Sequence, residues 1–145
     1  MSVTLREVTA ETVRAICALR TTQDQERFVA PNALSIAQAY FEPSAAFRAI
    51  YAGETPVGFL MWRPGREAGT CFLWRFMVDA QYQGRGYGRS ALALWADALR
   101  SQGARRLSLS YVPGAGSPHQ FYQSFGFEDT GEPPVNGEDF MALRL

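Results

Sequence analysis

The sequence predicts one α/β domain, of the α+β kind, spanning residues 1–145. Three observations point there. The 145-residue chain is 47% hydrophobic and 19% charged, with ten Phe, six Tyr and three Trp, a core-forming composition at single-domain length. Short apolar runs with strand-like alternation recur along it, interleaved with segments of helical period. One strong strand, Thr70 to Val78, runs into a helix, Arg89 to Arg100, across a glycine-rich loop.

In chain order, Val3 to Val8 alternates as a short strand, and Glu11 to Arg20 clusters Val13, Ile16, Cys17 and Leu19 on one side of a helix. Thr21 to Arg27 is polar. After Ala30-Pro31-Asn32, Ser35 is a candidate cap for a short helix from Ile36 to Phe41, which Pro43 closes. Phe47 to Ala52 and Val57 to Trp62 are strands joined by Gly53-Glu54-Thr55-Pro56, and Thr70 to Val78 follows a Pro64-Gly65 turn. The helix from Arg89 to Arg100 puts Leu92, Trp95, Ala96 and Leu99 on one face and has Gly103 beyond its end as a stop. Leu107, Leu109 and Tyr111 alternate with Ser108 and Ser110 in another strand. Ser117-Pro118 then opens a short helix to about Phe125, and Phe127 to Asp129 and Phe140 to Leu145 are two closing strands.

Charge and residue usage exclude several classes. Fourteen Arg against fourteen acids leave a formal net charge of zero, so no global field recruits nucleic acid or an anionic membrane. Lysine is absent, which removes Schiff-base chemistry and the Walker lysine. One histidine, His119, and two distant cysteines, Cys17 and Cys71, do not make a zinc cage, so no metal is expected. The MSVTLREV start lacks a basic segment before an apolar stretch, and a cytoplasmic chain with reduced thiols is expected.

The chemistry concentrates in Val78 to Arg89. Gly84, Gly86 and Gly88 there can take backbone angles closed to other residues, which turns successive N–H groups toward one point. The helix beginning here adds the positive end of its dipole. The combination suits a pyrophosphate. The loop reads G-x-G-x-G and not the G-x-G-x-x-G of dinucleotide-binding folds, and an ordinary glycine turn is the bland alternative.

Gln83-x-x-Gly86-x-Gly88, between an apolar strand and a helix, resembles the acetyl-coenzyme A motif of the GCN5-related N-acetyltransferases (GNAT). Phe121-Tyr122-Gln123-Ser124-Phe125-Gly126-Phe127 resembles the family's late F-Y-x-x-x-G-F element, and the element order is similar over nearly the whole chain. Phe28 to Asn32, Ser35 to Tyr40, Gly58 to Met61 and Trp74 to Asp79 are similar, more narrowly, to bacterial diamine or spermine/spermidine acetyltransferases. The resemblance implies a mixed, mostly antiparallel central sheet flanked by helices, with a splayed strand pair at the acetyl-CoA site. It implies acetyl-CoA as co-substrate, held by Gln83, Gly84, Arg85, Gly86, Tyr87, Gly88 and Arg89. The backbone of Met77 and Val78 would face the acetyl carbonyl and the pantetheine arm, and Tyr122 would be the acid for the leaving thiolate. Ala115 and Pro118 depart from the family's usual Asn and Ala, which puts one hydrogen bond to the cofactor arm in doubt.

Thioester aminolysis requires a free amine, an oxyanion donor and a proton for the thiolate. Glu26 and Glu42 fall in segments similar to the family's substrate-facing helices, where each either grips an ammonium or stands solvated. Arg85 and Arg89 either contact phosphates or solvate the helix entrance. Glu128, Asp129, Glu132, Glu138 and Asp139 read as exposed loop acids, and His119 as a surface residue. The expected acceptor is a small primary amine, a di- or polyamine. The alternatives are another amine (a peptide N-terminus, an amino acid or an amine antibiotic) and a coenzyme A-binding module without turnover. The expected partner is that small molecule, with neither nucleic acid nor membrane, and a homodimer is left open.

Overall fold

The computed structural model describes residues 2–145. Its strands are β1 (Val3–Arg6), β2 (Ala46–Ala52), β3 (Thr55–Pro64), β4 (Thr70–Val78), β5 (Arg106–Tyr111), β6 (Glu128–Asp129) and β7 (Asp139–Arg144), and its helices α1 (Val13–Ala18), α2 (Asn32–Tyr40), α3 (Tyr87–Ser101) and α4 (His119–Phe125). The strands form one seven-stranded sheet in the order β1-β2-β3-β4-β5-β7-β6. Only β4 and β5 run parallel; every other pairing is antiparallel.

Helices cover both faces of this sheet, so its central strands are apolar on both sides. In β2, Ile50 and Ala52 join a core with Leu92, Trp95 and Leu99 of α3, while Ala49 and Tyr51 join a second core with Ile16 of α1. Fully buried Val57, Phe59, Leu60 and Met61 make β3 the centre of the molecule. α3 buries Ala91, Leu92, Trp95, Ala96 and Leu99 in a single stripe.

Several boundaries differ from the sequence expectation. α1 is confined to Val13–Ala18, shorter at both ends than Glu11 to Arg20. α2 begins at Asn32, and Ser35 is not its cap: it is a buried residue inside the helix whose hydroxyl donates to the Pro31 carbonyl at 3.3 Å. The polar stretch after α1 folds as a 3-10 turn, Gln23–Phe28. α3 begins two residues early, at Tyr87.

Two irregularities shape the sheet where β4 meets its neighbours. The β3–β4 register shifts between Met61 and Trp62, a bulge that bends β4 in its middle. β4 and β5 pair only from Thr70↔Arg106 to Leu73↔Leu109. Beyond Leu73, β4 continues to Val78 against β3 alone. The two parallel strands therefore part, and the expected splayed pair is present.

Candidate active site

The gap between the parted strands is the mouth of a cleft of about 950 Å³. Its walls come from Trp74 to Val78 of β4, Ser110 and Tyr111 of β5, the loop before α3, the first turn of α4 and the 3-10 turn.

At one end lies the glycine loop. Gly84 and Gly86 have φ of +77° and +82°, left-handed values that favour glycine, and a Cβ on either would meet nothing within 4 Å. Gly88 serves differently: a Cβ there would come within 3.2 Å of Phe76 and 3.3 Å of Val78, so its role is close packing of α3 on β4. The first helical bond of α3 runs from the Ser90 N–H to the Gly86 carbonyl at 3.1 Å. The amides of Tyr87, Gly88 and Arg89 precede it without helical acceptors, at the positive end of a fifteen-residue helix. Such an arrangement suits an anion.

Gln83 lines the cleft with its side chain already engaged by the protein. Its side-chain amide donates to the Val78 carbonyl at 2.8 Å and to Gln25 Oε1 at 2.7 Å, pinning the loop to the end of β4 and to the 3-10 turn. Arg85 also turns back: it lies over the Tyr82 ring and is not part of the cleft wall, whereas Arg89 is.

In mid-cleft, backbone direction decides what β4 offers. The Asp79 N–H donates to Val57 of β3 at 2.7 Å. N–H direction alternates along a strand, so Met77 also turns toward β3, while Val78 and Phe76 turn their N–H groups to the opposite edge, from which β5 has departed. With the Val78 carbonyl engaged by Gln83, its N–H remains for a ligand. Tyr122 lines the same region, packed on Phe76, Phe121 and Phe127 with ring centroids 5.5–6.3 Å away. Burial alone pushes its phenol well above the ordinary tyrosine value, so it stays protonated throughout the neutral range.

The far end is charged. Trp74 has two guanidinium groups near its ring, with Arg63 4.5 Å and Arg75 5.4 Å from the ring centroid. Arg75 donates to Gln38 Oε1 at 2.9 Å and to the Trp74 carbonyl at 3.0 Å, and its buried Nε has no partner. Burial pulls its guanidinium below the ordinary arginine value, and nearby Glu138 opposes that shift. Among the described residues neither arginine forms an ion pair.

Of the acids singled out in the sequence, Glu26 stands exposed on the cleft rim, while Glu42, beyond α2, is not on the cleft wall. His119 lies outside the wall, its Nε2 3.1 Å from both Asp129 carboxylate oxygens. The Ala115 carbonyl accepts from Arg27 at 3.0 Å, and Pro118 lines the cleft. Sequence reading missed Gln25 and the cleft position of Glu138. For Gln25 the usable signal was Thr22-x-x-Gln25, a capping-box spacing; for Glu138 it was the adjoining Asn136-Gly137, a hairpin-turn pair. Among the described residues no helix is long and apolar enough to cross a membrane.

Comparison with known proteins agrees with this geometry. The acetyltransferase (GNAT) family profile matches residues 13–127. The chain is 30% identical to the spermine/spermidine N(1)-acetyltransferase of Bacillus subtilis (strain 168), over the full length of both. Its fold is similar to that of an acetyltransferase from Thermus thermophilus, with a TM-score of 0.74, 22% identity and coverage of 100% and 98% of the two chains. It is also similar to the PaiA N-acetyltransferase of Thermoplasma acidophilum solved in complex with coenzyme A, with a TM-score of 0.71, 15% identity and full coverage of both. A splayed β4–β5 pair, a glycine loop feeding α3 and a buried tyrosine between them accompany a family match over most of the sequence: the chain belongs to the GNAT acetyltransferase family and is an acyltransferase.

Proposed function

We propose that the protein transfers an acetyl group from acetyl-CoA to a primary amine of a small di- or polyamine. The observation that carries this reading is the parting of β4 and β5 at Leu73 and Leu109, which opens a route past Val78 and Tyr122 in the cleft that also holds the glycine loop. The diphosphate would rest on the amides of Gly84 to Arg89, with Arg89 beside it. The thioester carbonyl would accept from the Val78 N–H, which stabilises the oxyanion. The coenzyme A bound in solved relatives supports this donor.

The acceptor arrives as an ammonium, because an alkylamine has a pKa near ~10.4. It loses one proton to become nucleophilic, its nitrogen attacks the carbonyl carbon, a second N–H proton leaves as the C–S bond breaks, and the thiolate is protonated. The products are the acetamide, coenzyme A thiol and one released proton. Tyr122 is the group proposed to donate to the thiolate. Its raised pKa keeps the phenolic proton in place until sulfur charge develops beside it.

The polyamine acceptor is supported by the full-length relative from Bacillus subtilis. Glu26 on the rim is proposed to attract a distal ammonium. A second reading, an amine that also carries a carboxylate, is favoured by Arg63 and Arg75, two cleft guanidiniums without acidic partners. Thiol release from acetyl-CoA, measured with spermidine, a monoamine of matched length and a set of amino acids, tests both. The polyamine reading expects spermidine to have the highest kcat/KM; preference for the amino acids would replace it.

A further inference from the structure

We infer that Glu138 is the carboxylate that receives the acceptor's amine, held in position by Ser110. This rests on the acetyl-transfer reading above but on neither choice of acceptor, since each brings a primary ammonium. Glu138 closes the turn that leads into β7, and its backbone is fixed. Its N–H donates to Val135 and its carbonyl accepts from Val135, both at 3.0 Å, closing a two-residue turn through Asn136 and Gly137. Those two residues have φ of +51° and +77°, the left-handed pair that a tight hairpin requires. A residue on such a rigid turn is aimed, unlike one on a mobile loop.

The carboxylate is aimed at the splay. Ser110 Oγ donates to Glu138 Oε1 at 3.0 Å. Ser110 is the first residue of β5 beyond Leu109, where pairing with β4 ends, so both groups stand at the fork of the two strands and both line the cleft. The Ser110 hydroxyl occupies Oε1, and no donor within the chain occupies Oε2 among the described residues. The charged group that feels Glu138 across the gap is Arg75 from β4, which in turn faces Arg63 from β3. Neither is within ion-pair distance of it, so its charge is not consumed inside the protein.

A carboxylate there does two things for the reaction. It holds the incoming ammonium beside the thioester. As the N–C bond forms, the nitrogen's remaining protons become strongly acidic, and the carboxylate accepts the one that must leave, passing it to solvent at the cleft mouth. Arg75 limits how tightly the ammonium is held, so its first proton passes to solvent and leaves the neutral, nucleophilic amine beside the thioester.

The test uses Glu138→Gln, which keeps the Ser110 acceptor but removes the charge and the basic site. With the amine that wild-type enzyme uses best, kcat/KM for the amine should fall about 10²-fold or more, while the acetyl-CoA KM stays within about twofold. Ser110→Ala, which leaves the turn intact, should lower the same amine parameter several-fold. An amine kcat/KM within about threefold of wild type in Glu138→Gln, or an equal rise in acetyl-CoA KM, overturns the assignment. Should Glu138→Gln fail to fold by circular dichroism, an unchanged amine kcat/KM in Ser110→Ala overturns it instead. If spermidine is inert and another primary amine reacts, the polyamine reading falls and Glu138 is judged on that other amine.

Discussion

The carboxamides of Gln25 and Gln83 exchange hydrogen bonds in both directions: Gln83 donates to Gln25 at 2.7 Å and Gln25 donates to Gln83 at 3.2 Å. The residues are 58 positions apart in sequence. Their contact joins the 3-10 turn before α2 to the loop before α3, two segments that both line the cleft. Because Gln83 also holds the Val78 carbonyl, one side chain sets the loop, the rim and the free N–H of Val78 together.

Removing that side chain should loosen the donor site more than the chemistry. Gln83→Ala loses three hydrogen bonds worth about 0.5–1.5 kcal/mol each, so the acetyl-CoA KM should rise about tenfold or more with a smaller change in kcat. Gln25→Ala should reproduce part of the effect. A double-mutant cycle on acetyl-CoA affinity, read by calorimetric titration, should give a coupling of at least about 0.5 kcal/mol; additive effects would show that the pair does not act as a unit.

The three loop glycines should separate by substitution. Gly84→Ala and Gly86→Ala force a side chain into left-handed backbone at a cost of about 1–2 kcal/mol each, felt mainly by the loop and by coenzyme affinity. Valine at Gly86, whose branched side chain tolerates that φ still less, would confuse lost binding with lost folding. Gly88→Ala has ordinary backbone angles but crowds Phe76, Val78 and Phe121, so its thermal midpoint should drop by about 3 °C or more. Melting curves beside coenzyme titrations check the split; a Gly88→Ala protein with wild-type melting would place that helix end farther from β4.

Tyr122→Phe should lower kcat by about 10²–10⁴-fold and change the acetyl-CoA KM less, since the hydroxyl matters as the thiolate departs. Steady-state kinetics with thiol detection reads this, and wild-type turnover would leave Tyr122 as a core aromatic only.

The same residue has a pH signature. Burial raises the folded-state pKa of the phenol above its unfolded value, so the folded chain holds this proton more tightly. The stability it contributes is complete below the ordinary tyrosine value of about 10 and is lost as pH climbs beyond it. Wild type should therefore lose stability faster than Tyr122→Phe above that pH, and the difference between the two curves removes the parallel contribution of Tyr111, whose burial shifts it the same way. Parallel curves in alkaline denaturation would mean that the Tyr122 hydroxyl is hydrated.

Arg75→Gln should distinguish the acceptors. Removing a positive charge from the cleft should lower the KM of a polycation, whereas it should raise the KM of an amine bearing a carboxylate by about tenfold, the loss of one charge-assisted hydrogen bond. Measuring both substrate types with one variant gives opposite signs for the two readings, and no change in either would move the acceptor away from Arg75.

What could be read from the sequence was whatever depends on neighbours along the chain. A nearly unbroken apolar run marked β4 to the residue, Thr70 to Val78, and helical spacing marked the buried stripe of α3. The glycines before α3 announced left-handed backbone and a free helix end, because both are local properties. The tertiary structure alone decided which of those features meet. That β4 and β5 part after Leu73 and that Met77 turns its N–H to β3 while Val78 does not follow from strand register, which a one-residue slip would reverse; that the Gln83 side chain meets Gln25 follows from the packing of two loops distant in sequence. Ser35 reads as a cap in sequence and folds as a buried helix residue, since packing on a neighbouring element outweighs a cap preference of about 1 kcal/mol. Glu138 looked like one exposed acid among several; it became part of the cleft wall only when a two-residue turn and the Ser110 hydroxyl, 28 positions away in sequence, brought its carboxylate to the fork of two strands.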